Sequence, residues 1–88
     1  MNWVCRFSSQ AEQELIGLPK FIQARVARVV EQMGVDPFQG NIKALQGRQW
    51  KGVFRRRIGD YRLLFTADHA RRSFLVLQIS VRSGSTYD

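Results

Sequence analysis

The chain has 88 residues, 44% of them hydrophobic, enough for one small domain with a modest core spanning residues 1–88 and no second unit. Fourteen Lys and Arg against seven Asp and Glu give a formal net charge of +7 and a pI near 10.8, so the expected partner is a nucleic acid or an acidic protein. No stretch reaches the length of a membrane span, the opening MNWVCRFSSQ does not read as a secretion signal, the single Cys5 cannot pair internally, and no Cys/His cluster offers a metal site. A cytoplasmic protein with no metal, no cofactor and no membrane association is expected.

Residues 2 to 8 alternate Trp3, Cys5 and Phe7 against Val4 and Arg6, which predicts a first strand with Cys5 packed inside. Ser9 and Glu12 stand at capping-box spacing, each able to satisfy a free backbone N–H, and so predict a helix start. That helix is expected to bury Ala11, Leu15 and Leu18 and to break at Leu18-Pro19, with Pro19 opening the next one. Ile22, Val26, Val29, Val30 and Met33 then recur at helical spacing, and Gly34 predicts the end of this longest helix. Residues 34 to 49 are rich in turn formers and are expected to be a connecting loop, with Ile42 and Leu45 tucked against the core.

Three strands are predicted next, near residues 50 to 58, 61 to 67 and 73 to 82. Gly59-Asp60 between two alternating runs reads as a tight hairpin turn, and Asp68 to Arg72, with His69 at the surface, as the second turn. Alternation puts Phe54 and Ile58 on one face with Tyr61, Leu63 and Phe65, and Arg55 and Arg57 opposite with Arg62. In SFLVLQISVR, Leu75, Leu77, Ile79 and Val81 make the expected core set, leaving Arg82 on the arginine side. Arg56 conflicts with this scheme. It falls in phase with the apolar side and needs a bulge, an edge position or a snorkelling side chain. The order β-α-α-β-β-β predicts an α+β fold, a small mainly antiparallel twisted sheet with a helical hairpin on one face. The opposite face would gather Arg55, Arg57, Arg62 and Arg82, whose guanidinium forks suit phosphate.

FSSQAEQELIGLP, VDPFQG, IKALQG, RRRIGDYRLLF and a last strand leading to Arg82 and Tyr87 together resemble the RelE/ParE superfamily of type II toxins over nearly the whole chain. The resemblance implies a microbial-RNase-type fold of the RelE kind and a toxin neutralised by a cognate antitoxin. It leaves the target open. RelE-like members cleave mRNA on the ribosome, ParE-like members inhibit DNA gyrase without nuclease activity, and an inactive member would bind only its antitoxin, as a hetero-oligomer on operator DNA. The first of these is the leading expectation, with plasmid stabilization among the roles such systems serve.

Carried over by position, the RelE-type catalytic set falls on Arg55, Arg62, Arg82 and Tyr87. RNA phosphate is expected at Arg55, Arg57, Arg28 and Lys51. RelE has two lysines in the first hairpin strand where this chain has Val53 and Arg55. Arginine stabilises the developing charge of a phosphorane, but it is a poor base because its pKa lies above about 12. Proton transfer therefore falls to Tyr87, whose other role would be stacking on a base.

Overall fold

The computed structural model describes residues 2–81, so Arg82 and Tyr87 lie outside the described residues. Its elements are β1 (Val4–Phe7), α1 (Ser9–Ile16), α2 (Lys20–Met33), β2 (Ile42–Ala44), β3 (Phe54–Ile58), β4 (Tyr61–Asp68) and β5 (Ser73–Val81), with a 3-10 turn at Arg48–Trp50. The strands form one sheet in the order β1-β5-β4-β3-β2, antiparallel except where β1 runs parallel to β5. The α+β order and the helical hairpin on one sheet face agree with the sequence reading. The sheet has one strand more.

That extra strand is β2, inside the segment expected to be loop. Three residues are too few for a periodic signal, and only pairing with β3, Ile42 opposite Arg56 and Ala44 opposite Phe54, makes them a strand. Residues 50–53, expected to open β3, instead finish the 3-10 turn and a Gly52 turn before the strand begins at Phe54.

The helix start also differs. Ser8, not Ser9, is the N-cap: its Oγ accepts from the Ala11 N–H at 3.0 Å and donates to the Leu77 carbonyl at 2.9 Å. Ser8 also donates its backbone N–H to Val76, continuing the β1–β5 pairing by one residue, so the strand's end and the helix's cap are the same residue. β1 stops there while β5 continues to Val81, so among the described residues a stretch of β5 edge has no strand beside it. Glu14 on α1 fills part of it, accepting the Ile79 backbone N–H at 2.7 Å on Oε1. A helix side chain thus takes the place of a strand carbonyl.

The main core lies between helices and sheet: Ala11, Ile22, Val26 and Met33 meet Ile58, Leu63, Phe65, Phe74, Val76 and Ile79, all buried. Cys5 is half-buried beside them, and desolvation pushes its thiol up to about 11. The predicted core set of β5 needs correction, because Phe74 and Val76 face this core and Val81 is exposed. Opposite Leu64 stands Gln78, yet opposite Phe65 stands Val76, so Leu77 is an extra residue, a bulge that reverses the strand's alternation. Even positions face the core before it and odd ones after it, and uniform alternation could match only one half.

A smaller apolar group, Leu45, Val53 and Leu64 with Trp50 and Leu77 against it, covers part of the sheet's other face. Gly59 opens the β3–β4 hairpin with φ +58 while Asp60 stays at negative φ, a type II′ pattern that suits the twist of paired strands. The guanidinium of Arg25 lies over this turn, and a Cβ at Gly59 would stand 2.9 Å from its Nη1.

Arg56 is accommodated by snorkelling. Its side chain leaves the core side beneath the loop after α2, and its Nη1 donates to the Gln39 carbonyl. Gly40 makes room, with φ +100 and no Cβ, which would collide with the same nitrogen. Burial lowers the pKa of this guanidinium from its ordinary value. Arg56 is therefore a structural arginine on the helix side of the sheet.

Candidate nucleic-acid interface

Two rows of side chains cross the sheet on the face away from the helices. The register aligns Lys43 of β2, Arg55 of β3, Leu64 of β4 and Gln78 of β5 as one row. The next row is Arg57, Arg62 and Ser80, and the Arg57 N–H extends pairing to the Asn41 carbonyl at 3.2 Å. Directly opposite residues in antiparallel strands carry Cβ atoms about 4.5–5.5 Å apart on the same side. Two of these pairs, Lys43 with Arg55 and Arg57 with Arg62, are cation beside cation.

Like charges placed directly opposite destabilise a sheet on a scale of roughly 0.2–1 kcal/mol per pair, so folding alone does not select them. A ligand with negative charge would reverse the sign. The sites differ in openness. Arg55 and Arg62 are each only 5% exposed, while Arg57 is half-buried and Lys43 exposed. Arg55 is fixed further by Asn41, whose Oδ1 accepts from its Nη1 at 3.4 Å. The Nε of Arg57 is shielded from solvent and has no hydrogen-bond partner among the described residues. Strand alternation placed these arginines on one face, and the structure shows two of them packed into it. Packing locks their geometry, which a preorganised charge-stabilising site requires.

Of the sequence-predicted site residues, Arg55, Arg57 and Arg62 come together. Lys51 is exposed just after the 3-10 turn, off the strands. Arg28 is exposed on α2, in the helix layer on the other side of the sheet, and does not join the cluster. Val53 is 8% exposed within the small apolar group, so that position contributes packing and not charge. Lys43 and Asn41 were missed because they lie in the segment read as loop. Two shallow clefts, one lined by Val4, Arg6, Asp68, Arg71 and Ser73 and the other by Gln32, Asp36, Gln39, Gly40 and Arg56, lie elsewhere. His69 stacks on Phe38 at 5.3 Å with Trp3 edge-on at 5.5 Å, a packing arrangement at the surface away from the arginines. Among the described residues no group of three His, Cys, Asp or Glu could hold a metal, and no helix is long and apolar enough to cross a membrane.

Two helices on one face of a five-stranded mixed sheet, with cations paired across the other face, define a small basic α+β domain. The sequence model for the ParE toxin of type II toxin-antitoxin systems matches residues 5–86. The chain belongs to that family, within the RelE/ParE superfamily.

Solved structures agree on the fold. The archaeal RelE-RelB complex from Pyrococcus horikoshii is similar at 21% identity and TM-score 0.81, covering 97% of this chain and 100% of that one. A RelBE toxin-antitoxin complex from Mycobacterium tuberculosis is similar at 26% identity and TM-score 0.78, covering 93% and 100%. The intact E. coli RelBE complex follows at 14% identity and TM-score 0.73, covering 90% and 95%. A search of curated proteins finds no match.

Proposed function

We propose that this toxin is a ribosome-dependent mRNA endoribonuclease acting in the cytoplasm. The observation that carries this reading is the pairing of Lys43 with Arg55 and of Arg57 with Arg62 across one sheet face. Cleavage by the adjacent 2′-hydroxyl forms a bond from that oxygen to phosphorus and breaks the bond to the 5′-oxygen. The 2′-proton goes to a base and the leaving oxygen takes a proton. Between these events the phosphorane carries extra negative charge, and in this reading Arg55, Arg57 and Arg62 stabilise it by donating hydrogen bonds. Arginine keeps its charge throughout and moves no proton. Proton transfer is therefore assigned to Tyr87, which with Arg82 lies outside the described residues. The ribosome would supply the positioning of the mRNA, which in oriented reactions provides much of the barrier reduction.

A cognate antitoxin is part of the proposal. The archaeal and mycobacterial relatives were solved bound to theirs. An acidic partner would cover the basic face and stabilise a small domain by mass action.

One observation favours a second reading, a gyrase inhibitor without nuclease activity: Val53 packs into an apolar group at a position where RelE carries a lysine. Purified toxin separates the two. Under the nuclease reading it cuts mRNA in a reconstituted ribosomal translation reaction and leaves gyrase supercoiling unaffected. The opposite pattern would establish the second reading.

A further inference from the structure

We propose that Lys43 on β2 is an RNA-contacting residue of this face, holding the phosphate beside the one that the arginines stabilise; this rests on the RNA-directed reading above. Ile42 packs against the main core, so strand alternation turns Lys43 to the opposite side. Register then sets it directly across from Arg55. Arg55 and Arg62 are buried and have fixed positions, whereas Lys43 is exposed on the outermost strand.

These differences divide the work. A shielded guanidinium stabilises charge where it already stands. An exposed ammonium on a four-carbon stem carries three donors and can follow a flexible strand of RNA entering from the sheet edge. Phosphates succeed one another along the backbone, so an RNA strand that puts one phosphate on Arg57 and Arg62 meets the row of Lys43 and Arg55 with its next contact. Val53, at one of the two positions where RelE carries a lysine, is buried, and Lys43 brings an ammonium to the same face from the neighbouring strand.

The test is binding of a short, uncleavable single-stranded RNA, carrying 2′-deoxy at each position of cleavage, to purified toxin over a range of salt. Lys43→Gln is expected to weaken binding several-fold at low salt and to reduce the slope of log affinity against log salt by about 0.7, the loss of one phosphate contact. Lys43→Arg is expected to restore the slope. Arg28→Gln, on the helix side, is expected to leave it unchanged. An unchanged slope in Lys43→Gln while wild type binds RNA would overturn the inference and leave the nuclease reading standing. An equal fall in Arg28→Gln would overturn it too, since net charge and not position would then set the slope. No RNA binding by wild type would overturn the inference as well, while the ribosome-dependent reading would still be decided by cleavage in the reconstituted translation reaction.

Discussion

Arg57 and Arg62 stand opposite each other on paired strands, where like charges oppose folding. Arg57 is half-buried with its Nε unpartnered, so replacing it removes repulsion and desolvation at little cost in packing. Arg57→Gln is therefore expected to raise the stability of the free toxin by a few tenths of a kcal/mol, about the scale of one like-charge pair, read as a higher urea midpoint. The same change should weaken RNA binding. A sheet that is stabilised by losing a cation carries that cation for a ligand. Cys5 illustrates the opposite case, a residue with chemistry that the fold suppresses. Its thiol is pushed up to about 11 by burial, so at pH 8 the folded protein holds less thiolate than an ordinary cysteine does. Alkylation by iodoacetamide should be slow at pH 8, rise steeply above pH 10, and become fast at pH 8 once the chain is unfolded in urea.

At the scale of elements, the junction of β1, α1 and β5 bears the most weight per residue. Ser8 caps α1 and closes the β1–β5 pairing, so Ser8→Ala should cost about 1 kcal/mol or more, while Ser9→Ala should change little. Chemical denaturation of the two variants tests the cap directly. Glu14→Ala removes the acceptor of the Ile79 N–H and should cost about 1–3 kcal/mol, whereas Glu14→Gln keeps an acceptor and should lose less. The elements also show what the sequence disclosed. Helix α2 and the hairpin were legible because their apolar periods run long enough to average out exceptions. The cap was displaced by one residue because the spacing of Ser9 to Glu12 reads as a capping box, whereas β5 supplies a carbonyl for Ser8. Strand β2 and the bulge at Leu77 depend on which strand lies alongside, a long-range property that no local pattern carries.

For the whole molecule, the layering separates two tasks. Helices and sheet bury one apolar core, and the other sheet face is left for three arginines and a lysine held by their register. Arg55, Arg57 and Arg62 were legible as a convergent set from strand alternation alone. The burial of Arg55 and Arg62 was not, because it depends on what the fold brings against the strands and no local alternation carries that. Arg56 escaped the scheme for the same reason, since its outlet past Gly40 exists only in three dimensions.

The most direct measurement is transcriptome-wide mapping of mRNA 5′ ends after brief induction of the toxin, compared with induction of Arg62→Ala and of Arg57→Ala at equal abundance. Retained antitoxin binding would show that each variant is folded. The basic face as a nuclease site predicts new ends within translated reading frames for wild type, abolished by Arg62→Ala and strongly reduced by Arg57→Ala. Growth arrest by wild type with no new ends and with gyrase inhibited would contradict it.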